Sequence, residues 1–268
     1  MTELYGIDVS QYDGYNSNFA TAPIKYCIVR WGYGSRPSQQ DKLWEYHLEQ
    51  CSDNNIPMGA YLYSYATTTG GAVAEATNLC ARLDEAKAKG YTFPYWIWYD
   101  VEDSSQARLG KTLCTQIVNT FIDKCKELGY SNVGLYTFRN FMNDCLNRTD
   151  LHCGNMLWIA DYVYKDGLYH GKSPYINYDY VIYQYTSTNS NQSAWDSRVG
   201  LDQDMCYYDF VSVNPSPVVP SVPDATNGID AKKKQIEELT AQETELKKEI
   251  EDYKKVINLA LNDLGSVK

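Results

Sequence analysis

Short apolar runs recur along the first 210 residues and alternate with longer amphipathic stretches. The runs have the length and the aromatic or β-branched content of buried strands. They predict eight strands, at 4–9, 26–31, 58–65, 95–101, 133–137, 156–160, 180–185 and 201–206. The stretches between the early runs carry apolar residues at helical spacing. They predict helices at 41–53, 72–89, 111–128 and 138–146.

This order of elements favours one closed barrel over residues 1–210. Strands that alternate with helices form parallel sheets with right-handed crossovers. Eight predicted strands in this segment are typical of a TIM-like α/β barrel, and the loss of helices in its last third makes the barrel irregular. Active sites of such barrels lie at the carboxyl ends of the strands, which is where we look for candidate chemistry.

The chain changes character after residue 210. Residues 212–223 contain four prolines in twelve positions, which predicts an extended linker over 211–228. Residues 229–268 follow a heptad pattern. One heptad position holds Ile229, Ile236, Glu243, Ile250, Ile257 and Leu264, and the position three residues later holds Lys232, Leu239, Leu246, Tyr253 and Ala260. This pattern favours a parallel coiled coil, so 229–264 predicts a homodimer or higher oligomer. A single amphipathic helix docked on the main domain is the alternative.

Composition narrows the class of protein. The chain has 268 residues and a formal net charge of -10, which disfavours nucleic acid as a partner because such binders carry a basic patch. No apolar run approaches the about 18 residues of a membrane-spanning helix, so we expect no membrane insertion. The N-terminal segment MTELYGIDVS lacks the features of a secretion signal. His47, His152 and His170 are far apart in the sequence, so we expect no histidine-based zinc site and no cofactor.

The eight cysteines raise the question of disulfides. A disulfide framework is typical of short secreted chains, and this chain is long, without a visible signal or a CxxC pair. Cys27 and Cys80 lie inside apolar runs, as small buried hydrophobic residues do. We therefore expect free structural thiols, with some disulfides as the main alternative.

Acidic residues occupy the strand ends where a barrel places its chemistry. Asp8 lies at the end of the first predicted strand, and Asp202 lies in the last. Asp100 and Glu102 end the fourth, two residues apart, so their side chains and that of Trp98 share one face. Crowding and burial raise the pKa of at least one carboxyl, as a general acid requires. We expect Glu102 to be that acid and Asp100 to stay ionised. Solvated loop acids or a divalent-metal site are the alternatives.

An ordered series of motifs connects the chain to a known family. The series is GIDVSQYDG at 6–14, YDVED at 99–103, LYT at 135–137, LWIADY at 157–162, YQYTS at 183–187 and LDQD at 201–204. It resembles the family 25 glycoside hydrolases, the Chalaropsis-type lysozymes that are common as bacteriophage endolysins. The resemblance covers roughly residues 1–210. It implies an irregular (β/α)5(β)3 barrel that cleaves the β-1,4 bond between N-acetylmuramic acid and N-acetylglucosamine in bacterial peptidoglycan.

The resemblance also implies roles for the acidic residues. Asp8 matches the family's first-strand aspartate, and Asp100 with Glu102 matches its DxE pair, in which Glu102 is the proton donor. The late-strand aspartate is Asp202. The family usually shows DxN at this point, so Asp204 replaces an amide. The DxE spacing resembles that of glycosidases in which the substrate's own acetamido group attacks the sugar, and direct attack by water is the rival mechanism.

Further residues near the strand ends are candidate sugar contacts. Aromatic rings offer faces on which the C–H groups of sugars pack, although each ring is as easily explained by core packing. The candidate substrate contacts are Arg30, Tyr61, Tyr63, Trp98, Tyr136, Trp158, Tyr162 and Gln184. Arg30 stands where the family usually has lysine.

The resemblance implies a phage lysin that stays in the host cytoplasm until lysis and then acts on the cell wall. A bacterial autolysin of the same family is one alternative. A catalytically weak barrel that only binds the wall is another, although Asp8, Asp100, Glu102 and Asp202 are all present. A zinc amidase or Cys/His peptidase is disfavoured by the scattered histidines, and a chitinase by the absence of its longer acidic signature around YDVED.

Overall fold

The computed structural model describes residues 3–15, 17–188 and 201–213, and these residues form a closed eight-stranded barrel. The strands are β1 Leu4–Val9, β2 Tyr26–Tyr33, β3 Met58–Tyr63, β4 Ile97–Asp100, β5 Val133–Phe138, β6 Leu157–Ala160, β7 Ile182–Thr186 and β8 Asp202–Cys206. The helices are α1 Trp44–Asp53, α2 Thr69–Ala88, α3 Ser104–Ala107, α4 Lys111–Glu127, α5 Arg139–Cys145 and α6 Phe210–Val213. No helix among the described residues is both long and apolar enough to span a membrane.

The strands follow each other around the barrel in chain order. β1 to β7 are parallel to their neighbours, and β8 is antiparallel to both β7 and β1. Helices connect β2 to β3, β3 to β4, β4 to β5 and β5 to β6, whereas the described residues between β6 and β7 contain no helix. The expected irregular TIM-like barrel is therefore confirmed, and its carboxyl end collects the loops that follow each parallel strand.

Two apolar layers hold the barrel together. Outward-facing strand residues pack on the helices, as where the Tyr99 ring stacks on Phe121 of α4 at a centroid distance of 3.7 Å. Inward-facing rings fill the base of the barrel, where Trp98, Trp158 and Phe210 are buried in one cluster. Gly134 makes room for this packing, because a Cβ atom there would lie 2.3 Å from the Trp98 ring. The base is thus filled with side chains, and the mouth is left open to a ligand.

The element boundaries differ from the sequence expectation for local reasons. The helix expected at 41–53 begins at Trp44, because the Asp41 carboxylate accepts the backbone N–H of Leu43 ahead of the first turn. The helix expected at 72–89 begins earlier, at Thr69, because the Thr68 hydroxyl caps it by accepting from the Gly71 N–H. The fourth strand begins later than expected, because Trp96 has a φ of 67° and breaks the extended backbone.

The segments beyond the barrel keep the status of predictions. The linker at 211–228 and the coiled coil at 229–268 lie almost entirely outside the described residues. The chain divides into two units, Met1–Pro215 and Ser216–Lys268, and all the described residues belong to the first unit. All eight cysteines belong to this first unit and carry free thiols.

Candidate active site

A cavity of about 390 Å³ opens at the carboxyl end of the barrel. Its walls come from all eight strands and from the loops that follow β1, β4 and β7. They are formed by Asp8, Ser10, Tyr12, Asp13, Arg30, Tyr61, Tyr63, Asp100, Glu102, Tyr136, Trp158, Gln184, Ser187 and Asp202. All four predicted catalytic acids are therefore brought together, as the position of each at a strand end required.

Asp100 and Glu102 present oxygen atoms that no described residue satisfies. Asp100 is buried at the end of β4, and its Oδ1 atom has no hydrogen-bond partner among the described residues. The same holds for Oε2 of the half-buried Glu102. Buried polar atoms are nearly always paired in folded proteins, so two unpaired carboxyl oxygens on one cavity mark a place for a ligand.

Burial shifts the acidity of this pair. Burial, and then the nearby Asp103 carboxylate, raise the pKa of Glu102 to about 7. Burial, and then the charge of Glu102, raise the pKa of Asp100 well above its usual range, although Arg30 opposes the shift. The shift of the Glu102 pKa has the direction that a general acid needs. The Asp100 pKa is also raised, whereas a group expected to stay ionised would keep a low pKa, because Asp100 is more deeply buried at the strand end than its neighbour.

A second group of acids joins β1 to β8. Asp8 lies opposite Asp202 in the strand register, and Asp8 Oδ2 accepts a hydrogen bond of 2.7 Å from the Gln184 amide. Asp204 Oδ1 accepts the Trp158 indole N–H at 2.7 Å. Burial, followed by repulsion from Asp202 and Asp204, raises the pKa of Asp8 well above its usual range. Burial also raises the pKa of Asp204 well above its usual range, although the hydrogen bond from Trp158 opposes the shift. The amide that the family usually carries is thus replaced by a buried acid whose raised pKa favours its neutral form.

Asp202 and Asp13 complete the acidic wall. Burial, and then the charges of Asp13 and Glu102, raise the pKa of Asp202 to about 7. Burial also raises the pKa of Asp13 to about 6, while hydrogen bonds from the backbone and hydroxyl of Ser10 oppose this shift. Near neutral pH the cavity therefore holds several carboxyl groups poised between their charged and neutral forms, which suits transfer of a proton to a ligand.

Arg30 is the basic residue among the described cavity walls. Its guanidinium forms two contacts of 2.7 Å with the buried Asp41 carboxylate. The same Asp41 oxygen accepts the backbone N–H of Gln11 at 2.9 Å, and the Arg30 guanidinium lies 4.8 Å from the centre of the Tyr12 ring. Arg30 is thus fixed between β2 and the loop after β1, and much of its charge is already balanced by Asp41.

These acids, their burial and their order along the chain agree with one family of enzymes. The family model for glycosyl hydrolases family 25 matches residues 7–194. The chain belongs to this family. Its members are glycosidases, so the acidic mouth of the barrel is the candidate active site of a family 25 hydrolase.

Solved structures share the fold of this family 25 hydrolase. The modular autolysin LytC from Streptococcus pneumoniae matches with a TM-score of 0.62 and 25% identity, over 76% of this chain and 47% of LytC. This chain therefore spans about half the length of LytC. The catalytic domain of the endolysin ply40 from bacteriophage P40 of Listeria monocytogenes matches with a TM-score of 0.65 and 21% identity, over 79% of this chain and 97% of that domain. Comparison with curated proteins finds no match.

The aromatic candidates divide into cavity walls and supports. Tyr61, Tyr63, Tyr136 and Trp158 line the cavity of the family 25 hydrolase. Tyr162 lies beside the cavity and is not one of its walls. The hydroxyls of Tyr136 and Tyr162 both donate to Oε1 of Gln184, at 2.8 and 2.6 Å, so they orient the amide that binds Asp8.

Trp98 does not reach the cavity. It faces into the barrel as the strand alternation predicted, but it is fully buried at the base and its indole N–H donates to the Tyr95 carbonyl. Its ring centre lies 5.9 Å from that of Trp158, so Trp98 supports a cavity wall from below. Trp98 therefore faces inward like the cavity walls, but it lies one layer lower in the barrel, where a ligand in the cavity does not reach it.

Four cavity residues were not among the predicted candidates. They are Ser10, Tyr12, Asp13 and Ser187. Ser10, Tyr12 and Asp13 lie within the GIDVSQYDG motif, directly after β1, so the barrel rule applied to that loop would have found them. Ser187 follows β7 in the same way. The described residues contain no group of three or more His, Cys, Asp or Glu side chains arranged to hold a metal ion.

Proposed function

We propose that the chain is an N-acetylmuramidase that hydrolyses the β-1,4 bond between N-acetylmuramic acid and N-acetylglucosamine in bacterial peptidoglycan. The proposal rests on two carboxyl oxygens in one cavity, one on Asp100 and one on Glu102, that have no hydrogen-bond partner among the described residues. The pKa of Glu102 is also raised to about 7. A carboxyl that holds its proton near neutral pH is what cleavage of a glycosidic bond needs. LytC, a structural relative, has been solved with a synthetic peptidoglycan ligand, which supports this class of substrate.

In the proposed reaction, Glu102 donates its proton to the glycosidic oxygen as that bond breaks. The carbonyl oxygen of the substrate's acetamido group attacks the anomeric carbon. Water then gives a proton to the ionised Glu102 and attacks the same carbon, which opens the resulting ring and restores the acid. Asp100 accepts the acetamido N–H and balances the positive charge. This step would satisfy the unpaired Oδ1 atom of Asp100, and a hydrogen bond donated to its charged form would lower its raised pKa. Enzymes that use the substrate's acetamido group are known exceptions to the scheme with two catalytic carboxylates.

The remaining walls have supporting roles in this proposal. Asp8 and Asp202 line the cavity where positive charge develops on the sugar, and that charge is stabilised when they lose their protons. Tyr61, Tyr136 and Trp158 offer rings to the sugar faces. The other proposed contacts are Arg30, Tyr63 and Gln184, with Tyr162 acting through Gln184.

The test compares the wild type with Glu102→Gln on purified Gram-positive peptidoglycan. Reducing ends and free amines are followed together, and the fragments are identified by mass spectrometry. We expect reducing-end muramic acid from the wild type and a loss of at least about a hundredfold in the variant, the usual size of acid catalysis. Glu127→Gln, which removes an exposed carboxylate on α4 far along the chain from the site, is the matched control and should keep full activity.

Three outcomes would contradict the proposal. Free amines without reducing ends would show that a peptide or amide bond is cut. Binding to the wall without any product would favour the catalytically weak wall-binding barrel. Cleavage of chitin oligomers in preference to peptidoglycan would favour a chitinase. Proton NMR of the first-formed sugar tests the mechanism separately, since retention is expected from the acetamido route and inversion from direct attack by water.

The biological setting remains part of the proposal. The structural relatives include both an autolysin and a phage endolysin, so both roles left open by the sequence occur on this fold. We propose the phage lysin, which reaches the wall from the host cytoplasm once the membrane is breached.

A further inference from the structure

Three exposed tyrosines form a surface beside the acidic cavity. Tyr33 is the last residue of β2, and Tyr12 and Tyr65 lie in the loops after β1 and β3. The exposed fractions of Tyr12, Tyr33 and Tyr65 are 76%, 39% and 50%. We call them the tyrosine platform. The rings of Tyr33 and Tyr65 meet edge to face at 5.9 Å, and Tyr65 lies 5.0 Å from Tyr63, which lines the cavity. The platform is therefore continuous with the proposed active site.

A β-bulge turns Tyr33 toward this surface. In the register of β2 against β3, Arg30 lies opposite Tyr61 and Tyr33 lies opposite Tyr63, with a shift between Arg30 and Gly32. The two β3 residues are two positions apart, but their β2 partners are three apart. Without the extra residue, Tyr33 would face the helices, because side chains alternate along a strand. Bulges re-aim side chains in this way and are common next to active sites.

A buried acid fixes the position of Tyr65. Glu75 of α2 is almost completely buried, and its Oε1 atom accepts the backbone N–H of Tyr65 at 2.9 Å. Its Oε2 atom accepts from the hydroxyls of Ser64 at 2.9 Å and Tyr99 at 2.7 Å. A charged or polar group buried this deeply is costly unless it is fully hydrogen-bonded, as it is here. The backbone beneath an exposed ring is thus held in one position before any ligand arrives.

Tyr12 is held from a different direction. It lies on a short turn that Ser10 caps, and its ring covers the Arg30 guanidinium at 4.8 Å. Arg30 in turn is fixed by Asp41. Rings held in this way bind with little loss of conformational entropy, which is the main benefit of a preorganised site. Exposed rings supported by a bulge and by buried ionic groups are unlike the single exposed apolar residues that occur on any surface.

We propose that the tyrosine platform binds amino-sugar residues of the glycan strand that extend beyond the acidic cavity on the β1–β3 side. This inference rests on the proposed function. The cavity, at about 390 Å³, lies near the small end of the range for ligand sites, so a polymer bound there must continue outside it. The platform offers flat rings and hydroxyls, which suit the C–H faces and hydroxyl groups of sugars. The peptide stems of peptidoglycan carry carboxylates, which the surrounding acids Asp13 and Asp103 would repel.

The test uses peptide-free glycan oligosaccharides of alternating N-acetylmuramic acid and N-acetylglucosamine, as the tetrasaccharide and the octasaccharide, with each lactyl carboxyl blocked as an amide so that the glycan carries no charge. The readout is the ratio of kcat/KM for the octasaccharide to that for the tetrasaccharide. We expect Tyr65→Ala and Tyr33→Ala each to lower this ratio about tenfold, which corresponds to ~1.4 kcal/mol of binding. Tyr65→Phe retains the ring and should restore the ratio. Tyr15→Ala is the control, because Tyr15 is also an exposed ring but packs on Tyr46 of α1 and is not a cavity wall.

Binding provides a second readout that does not depend on turnover. In the Glu102→Gln background, calorimetry should show about tenfold weaker binding of the octasaccharide when Tyr65 is replaced by alanine. The melting temperature of each variant shows whether the barrel is intact. An equal kcat/KM ratio in wild type and Tyr65→Ala, with unchanged binding, would overturn the platform. An effect seen only with peptide-bearing fragments would also overturn it, in favour of the peptide stem.

The two proposals fail in different ways. If the wild type cleaves neither oligosaccharide, the muramidase proposal fails, while octasaccharide binding that depends on Tyr65 would still support the platform. If the wild type cleaves both with the same efficiency and Tyr33→Ala changes nothing, the muramidase stands and the platform is wrong.

Discussion

Replacing Glu102 by glutamine should stabilise the barrel, and more so near pH 8 than near pH 5. Glutamine has nearly the shape of a protonated glutamate and does not ionise. The wild-type carboxyl must lose its proton in a cavity where burial and Asp103 disfavour the charged form. A residue proposed as the catalytic acid should therefore be a cost to folding, and the size of the cost should follow pH.

The magnitude follows from the shifted pKa. The folded pKa of about 7 lies above the ordinary value of 4.5, so the folded protein holds this proton more tightly than the unfolded chain does. The stability that the protonated group contributes is complete below about pH 4.5 and is lost as pH rises through about 7. At 1.36 kcal/mol for each pKa unit, the cost of ionisation is about 1 kcal/mol near pH 5 and about 3 kcal/mol near pH 8.

Thermal and urea unfolding of the two proteins measure this difference directly. For a domain of this size, a change of 1 kcal/mol moves the melting temperature by about 2–4 °C. The advantage of Glu102→Gln should therefore grow by about 4–8 °C between the lower and the higher pH. Glu127→Gln removes the charge of a side chain that is 68% exposed. It should change stability by less than about 1 kcal/mol, and equally at both pH values.

An advantage of Glu102→Gln that is the same near pH 5 and near pH 8 would refute the reasoning. It would mean that Glu102 ionises as an exposed glutamate does, and the argument for its role as an acid would lose its electrostatic basis. A destabilised variant at both pH values would point instead to hydrogen bonds of the Glu102 carboxyl that an amide cannot replace.

Two further predictions concern the late acid and the C-terminal segment. Asp204→Asn should preserve the bond to Trp158 and remain active within a few-fold, whereas Asp204→Ala should destabilise the barrel by about 1–3 kcal/mol by leaving the buried indole N–H unpaired; equal urea midpoints for the two variants would contradict this. Light scattering of the whole chain should give at least a dimer mass if 229–264 forms a coiled coil, and truncation after residue 215 should give a monomer. A monomeric whole chain would refute the coiled coil.

The sequence was sufficient for the barrel because its signals are local. Each strand has its own apolar run, and glycines such as Gly90 and Gly129 mark where α2 and α4 end. The starts of α1, α2 and β4 depended on side-chain hydrogen bonds and a backbone torsion, which the hydrophobic pattern does not contain. The start of α1 depends on Asp41, whose carboxylate also binds Arg30 and the backbone of Gln11. The β-bulge at Trp31 also required the structure, because its two flanking residues both fit a regular strand.

The sequence was sufficient to predict which residues form most of the candidate site, but not how deeply each of them is buried. The barrel rule located all four predicted catalytic acids at the mouth, because it needs only the end of each strand. It could not separate Trp98 from Trp158, since both face inward and only the height along the barrel axis distinguishes a support from a wall. For the same reason it could not foresee that Asp100 is more deeply buried than Glu102.

The acids of the mouth cannot move apart to relieve their repulsion. Asp8 and Asp202 are fixed opposite each other by the β1–β8 register, and Asp100 is fixed opposite Tyr63 by the β3–β4 register. The buried rings below these carboxyl groups separate them from solvent on the base side of the barrel. The repulsion between these carboxyl groups therefore results from the strand register and is present before substrate binds. In the proposed reaction, positive charge develops on the sugar at this point, so it is stabilised by carboxylates whose mutual repulsion it relieves. The electrostatic cost to the resting protein and the stabilisation of the transition state then have the same structural origin.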